Sequence, residues 1–190
     1  MASGERWTSD ARTFTEVTRA RRGGPIYVIG GPHEARVTIY AQQCRALNLV
    51  CALREQDPKL TEKRIAVIGA GAAGVTAASA LRAIGVPEEQ LVIYERAASP
   101  LYTQRASYSR FLHPRLFHWP EAGWEDGTAA LPVADWKAGY AAAVRDRILS
   151  HCTDLAIEFC TSVHDVGVND GGAVQVDYRR LHTRAIDHAT

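Results

Sequence analysis

The sequence predicts an α/β fold built on a parallel sheet, and three observations predict it. Ile65-Ala66-Val67-Ile68 is a short β-branched run without polar alternation, the composition of a parallel strand buried on both faces. A segment rich in small residues, Ala72 to Ile84, follows after one glycine-rich turn and reads as a helix stopped by Gly85 and Pro87. A second apolar run, Leu91 to Tyr94, then ends in Glu95. Strand, helix, strand in that order is the unit from which parallel sheets are assembled.

Length and composition set the frame around that unit. The 190 residues fit one domain, and 46% hydrophobic with 23% charged residues is ordinary globular usage, which excludes disorder, collagen and disulfide scaffolds. With 22 Lys and Arg against 21 Asp and Glu, the formal charge of +1 supplies no global field for nucleic acid or an acidic membrane surface. The least charged stretch, Ile65 to Leu81, falls short of the roughly 20 apolar residues of a spanning helix. The first 25 residues mix Arg with Glu and Asp and hold no apolar signal core, so the expected location is the cytoplasm. Cys44, Cys51, Cys152 and Cys160 show neither a C-x-x-C pair nor zinc spacing and are expected to be core or near-core thiols.

No internal repeat or low-complexity tract is visible, and the chain reads as consecutive elements of one unit. Residues 1–24, ending in Arg-Arg-Gly-Gly, are expected to form a flexible arm, and 25–190 a single domain. Ile26 to Ile29 is a short strand candidate closed by Gly30, Gly31 and Pro32. Tyr40, Cys44, Leu47 and Cys51 recur at helical spacing along a segment that Asp57-Pro58 terminates. The βαβ core occupies 64–96. Residues 97–134 carry four of the eight prolines and two of the four tryptophans and are expected to be an ordered, irregular excursion. Asp135 is placed to cap a helix over 135–151, where Trp136, Tyr140, Val144 and Ile148 share one stripe. Three short strands, Ala156 to Phe159, Ser162 to Val166 and Val174 to Tyr178, are expected to form a small β-meander over 155–180, with Asn169-Asp170-Gly171-Gly172 as its last turn.

Gly69-Ala70-Gly71-Ala72-Ala73-Gly74 is a G-x-G-x-x-G run, a weak signal alone. Its setting strengthens it, because it follows a strand, opens a helix and precedes an acidic residue, Glu95, at the end of the next strand. Each part has a physical task in binding a dinucleotide. Gly69 permits the tight turn, Gly71 leaves room for a pyrophosphate at the backbone, and Gly74 lets the helix approach the sheet. The helix start offers unpaired N–H groups and a partial positive charge, worth about 0.3–1 kcal/mol per charge contact. Glu95 would accept hydrogen bonds from ribose hydroxyls. The plainer alternative is a Gly/Ala helix packed closely on a strand.

The 32 residues from Ile65 to Arg96, IAVIGAGAAGVTAASALRAIGVPEEQLVIYER, resemble the amino-terminal βαβ of FAD-dependent oxidoreductases with a Rossmann-type FAD/NAD(P)-binding domain. Ala78, Leu81 and Gly85 match that family's small, hydrophobic and glycine positions, while the loop Val86 to Gln90 is longer than its usual spacing. The resemblance implies FAD as cofactor, with NAD(P) as the alternative because both use the same fingerprint. It implies that a helix and a β-meander follow the first βαβ, and it puts Val163 where such domains touch the adenine. Glu95 opposes the 2′-phosphate of NADP, and Arg96 beside it partly offsets that. A complete member returns to a further parallel strand ending in a glycine motif, which the tail Arg184 to Thr190 lacks. The fold is therefore expected to be Rossmann-like but incomplete at its C-terminus, as a fragment, a truncated reading frame or a subunit that a second chain completes.

Other constellations are weaker. Gln104, Arg105, Arg110 and Arg115 fall where cofactor phosphates would pass, so an Arg among them is a candidate partner for the pyrophosphate. His113 and His118 have no third ligand in view, and no metal is expected. Trp119 and Trp124 lie on the excursion, where they would either stack on a ring or pack. No G-x-S-x-G elbow occurs, and no catalytic side chain can be named. The expectation is a flavin-dependent redox protein acting on a small molecule of unknown identity. Its alternatives are a nucleotide-binding module without catalysis and an NAD(P)-dependent dehydrogenase domain.

Overall fold

The computed structural model describes residues 12, 15, 16, 18–20, 24–29 and 38–181. The architecture is mixed α/β: a three-stranded parallel sheet, two helices packed together beside it, a third helix, and two small antiparallel pairs. The expected features of Gly30, Gly31 and Pro32 and of the tail Arg184 to Thr190 lie outside the described residues.

Helix α1 spans Ile39–Gln56. Thr38 caps it, its Oγ1 accepting the Ala41 N–H at 3.0 Å, and the chain turns out of the helix at Asp57. Its buried face is Gln43, Ala46, Leu49, Val50 and Ala52, rotated from the expected stripe of Tyr40, Cys44, Leu47 and Cys51, and Cys51 is exposed. α1 packs closely on an Ala-rich helix, Ala72–Ala83, and Ala46 and Ala52 of its buried face suit that approach. Gln43 is tolerated there because both ends of its amide are satisfied. Nε2 donates to the Ala134 carbonyl at 2.9 Å, and Oε1 accepts the Trp136 Nε1–H at 2.7 Å.

Strand β1 (Ile65–Ile68), helix α2 (Ala72–Ala83) and strand β2 (Leu91–Tyr94) follow as the sequence predicts. β1 and β2 are parallel, with Ile65 opposite Leu91 and Ile68 opposite Tyr94. Ile65, Val67, Leu91 and Ile93 face the helices, where Ile93 is fully buried among Val50, Val75, Ala78 and Leu81. Burial of such a side chain contributes about 1.5–3 kcal/mol. The expectation that β1 is buried on both faces is not met, since Ala66 is exposed and Ile68 is 52% exposed. The only strand contact on the face opposite the helices, among the described residues, is that of the carboxy-terminal hairpin with β2, so β1 is covered on its helix-facing side alone.

The excursion is irregular, as expected, with two short 3-10 turns and a two-residue strand, β3 (Phe111–Leu112). β3 pairs antiparallel with β4 (Gly139–Tyr140), and helix α3 begins only at Ala141 and ends at Leu149. The helix expected over 135–151 is shorter because its first residues have other partners. The Asp135 carboxylate accepts the Leu131 N–H at 3.0 Å instead of capping a helix, and Trp136 is buried in the loop against Gln43. Val144 and Ile148 do point into the core from α3.

The three-stranded meander is also corrected. Its first run, as β5 (Ile157–Glu158), joins the parallel sheet beside β2, with Ile93 opposite Ile157. The other two, β6 (Thr161–Val168) and β7 (Val174–Arg180), form a hairpin whose turn at 169–172 holds Gly172 at φ +79°. Cys160, at φ +53°, swings the chain out of the sheet between β5 and β6. The hairpin then covers the face opposite the helices, where Tyr178 stacks on Tyr94 with ring centres 4.9 Å apart.

Of the amino-terminal arm, residues 12, 15, 16, 18–20 and 24 are described. Thr15 is buried, and its Oγ1 accepts a hydrogen bond from Gln56 Nε2 at 2.7 Å. The strand expected at Ile26 to Ile29 is reduced to one bridge between Tyr27 and Arg19. Among the described residues no helix is long and apolar enough to cross a membrane.

Candidate dinucleotide site

The glycine turn leaves the C-terminal end of β1 and enters α2 within three residues, and its glycines differ in what requires them. Gly69 has φ +96°, a conformation that favours glycine, and its N–H extends the ladder by donating to the Tyr94 carbonyl at 2.8 Å. At Gly74 a Cβ would stand 1.8 Å from the Gly69 carbonyl oxygen, so the approach of α2 to β1 excludes any side chain. Gly71 answers to neither constraint. Its backbone is extended, at φ −76° and ψ −176°, and a Cβ there would meet nothing within 4 Å. Among the described residues no packing contact requires glycine at that position, and the space beside it is open.

Gly71 is the N-cap of α2, but no side chain caps the helix and its first turn holds no acidic residue. The amides of the first turn, which include Ala72 and Ala73, therefore carry the positive end of the helix dipole without an internal carboxylate. Ala70 is buried and bonded at both ends. Its carbonyl accepts the Leu101 N–H at 2.9 Å, and its N–H donates to Glu95 Oε2 at 2.6 Å.

Glu95 stands at the tip of β2, half-buried, with Oε1 accepting the Ala97 N–H at 2.6 Å. Its own N–H donates to the Glu158 carbonyl, and its carbonyl accepts the Thr161 N–H, which ties it to the ends of β5 and β6. A carboxylate offers about four acceptor positions, so two engaged amides leave room for hydroxyl donors.

The structure brings only part of the remaining set together. Leu101, with φ +49°, stitches the start of the excursion to the turn through Ala70, which carries the short helical turn Tyr102–Gln104 to that side of the molecule. Gln104 is half-buried and its Oε1 accepts from Thr103 Oγ1 at 2.8 Å, while Arg96, Arg105 and Arg110 are exposed. Arg115 faces Asp126 at 3.6 Å and so has a carboxylate already beside it. Val163 lies on β6 opposite Tyr178 and lines a cleft with Ile68 and Tyr94. His113 Nδ1 accepts the Arg115 N–H at 3.2 Å, and His118 packs edge-on against Tyr40. Trp124 packs against His113, whereas Trp119 is exposed. No group of three metal-ligating side chains occurs among the described residues.

Sequence reasoning missed Leu101 and Ala97. Both act through backbone N–H groups, and nothing in their side chains signals that task.

No protein-family model matches the chain, and a search of the curated proteins finds no relative.

Proposed function

We propose that the chain binds a dinucleotide, FAD by preference, with the diphosphate on the amide groups at Gly71, Ala72 and Ala73 and the adenosine ribose at Glu95. The observation that carries this reading is the open space at Gly71 beside a helix start without a side-chain cap, where a Cβ would meet no atom of the described residues within 4 Å. The residues present suit the group: amide donors for phosphate, and a fixed carboxylate for hydroxyls. FAD, when bound, supplies hydride and electron transfer, which makes the protein a flavin-dependent oxidoreductase or its dinucleotide-binding part. The polypeptide's share is to hold the turn in place, offer its first-turn amides and fix the acid at the end of β2. NAD(P) is the alternative ligand at the same turn. NADP is disfavoured by Glu95, although Arg96 is exposed next to it.

A second reading also has an observation behind it. β1 has no neighbour on its outer edge among the described residues, as expected of a nucleotide-binding module without catalysis of its own that a partner chain completes. The visible absorption spectrum of the purified protein separates the two, together with the flavin released on denaturation. A flavin spectrum supports the redox protein. A colourless protein whose melting temperature rises with ADP but not with FAD supports the module, and one indifferent to every dinucleotide contradicts both.

A further inference from the structure

β1 presents an outer edge that no strand of the described residues covers. Ile65 to Ile68 carries no charge, no proline and no bulge, the devices that usually blunt an exposed strand. Because the Gly69 N–H points at β2, strand alternation aims the N–H and C=O groups of Ala66 and Ile68 outward. Beside this edge lies a cleft of about 1230 Å³, bounded by Leu53 of α1, Val163 of β6 and the segment Tyr27 to Ile29.

That segment presents a bare edge of its own. The Ile26 carbonyl accepts the Ala20 N–H and the Val28 N–H donates to the Thr18 carbonyl, both at 2.8 Å. Alternation then sends the backbone groups of Tyr27 and Ile29 the other way. The direction also matches β1. Gly24 lies against Val168, at the end of β6 remote from Glu95, and α1 starts at Thr38. α1 next descends to β1, as α2 descends from β1 to β2.

We propose that Ile26–Ile29 is a fourth strand of the sheet, which seats in parallel on the outer edge of β1 and closes the cleft. α2 packs on the Ile65, Val67 and Ile93 face, and α1 packs against α2 with Ala46 and Val50 in the same core cluster. Parallel crossovers share one hand, so a strand before α1 falls on the opposite side of β1 from β2, at the free edge. Groups facing inward from Tyr27 and Ile29 bond with those of Ala66 and Ile68 when Tyr27 stands opposite Ile65 and Ile29 opposite Val67. In that register Ile29, already packed against the core, stays on the helix side. Val28 and Ile68, 50% and 52% exposed, come to the same side and cover each other. Ile26–Ile29 and Ile65–Ile68 are also identical at three of four positions, as suits two strands under the same pair of helices. Closure turns β1 from an edge into an interior strand, so the glycine turn rises from a support paired on both sides.

Cross-linking and amide exchange test this without any nucleotide, so the outcome is independent of the cofactor reading. In a Cys51→Ser background, Val28→Cys with Ala66→Cys sets two thiols at one register of adjacent strands, within reach of a disulfide. Mild oxidation should give an intramolecular bond in the double variant and none in either single variant. In the otherwise unaltered protein the Ala66 and Ile68 amides should exchange at least about tenfold more slowly than in Tyr27→Pro, which removes an inward N–H. Fast exchange at both amides without a cross-link would overturn the proposal. So would cross-linked dimers, which would assign the edge to a second copy.

Discussion

Glu95 Oε2 accepts the Ala70 N–H at 2.6 Å, so the acid at the end of β2 holds the glycine turn at the end of β1 before any ligand arrives. With the Ala97 N–H on Oε1, one carboxylate organises two loops at the C-terminal end of the sheet. Hydrogen bonds to a charged group are worth about 1.5–3 kcal/mol. Glu95→Ala should therefore lower the stability of the ligand-free protein by about that amount, read as a lower urea midpoint at unchanged slope. It should also weaken FAD by roughly ten- to 150-fold. Unchanged ligand-free stability would mean that these contacts do not hold the turn.

The three glycines of the turn should separate under substitution. Gly74→Ala drives a methyl group into the Gly69 carbonyl, and backbone cannot yield as a side chain does. It should cost at least the upper end of the roughly 1–3 kcal/mol that overpacking costs, measured by thermal or urea unfolding. Gly71→Ala meets open space and should leave stability within about 0.5 kcal/mol of the parent. Equal losses at both positions would contradict the distinction.

Gln43 is a polar side chain that the core depends on. Gln43→Leu keeps the bulk but strands the Trp136 indole N–H and the Ala134 carbonyl, at roughly 1–3 kcal/mol for each buried group left unpaired. Chemical denaturation followed by tryptophan fluorescence reads the loss. A neutral or stabilising result would show that water reaches both groups.

The strand–helix–strand core was legible because each signal there is local. A β-branched run, a glycine cluster, small helix residues and a second β-branched run mark β1, α2 and β2 with little help from the rest of the chain. The tight turn at Gly69 and the close approach at Gly74 were legible for the same reason, whereas the hold of Glu95 on the Ala70 and Ala97 amides was not. What failed depended on partners distant in sequence. The buried face of α1 is the one that packs on α2, Asp135 is diverted to Leu131, and the run at Ile157 finds a parallel partner in β2 rather than a meander. β1 looked doubly buried because composition reports what a strand can bury and not which neighbours cover it.

The thiols should differ in reactivity. Cys51 is exposed, whereas burial pushes the Cys152 thiol above the ordinary cysteine range, only partly offset by the hydrogen bond it accepts from Ser79 Oγ at 3.2 Å. A maleimide should label Cys51 first and Cys152 more slowly, as mass spectrometry of the digested protein would show. Below the unfolded thiol value, about 8.5, both states hold the proton and Cys152 adds no pH dependence. Above it the unfolded chain ionises first, so stability should fall as pH rises through that range. Equal labelling rates in the native protein would contradict this packing.

The most direct measurement is a calorimetric titration of FAD into the parent protein and into Gly71→Val. The parent should bind stoichiometrically, and the variant should retain its fold by circular dichroism while losing the binding, because its side chain occupies the space beside the first-turn amides. Equal affinity in the two proteins would mean that no diphosphate rests on that turn.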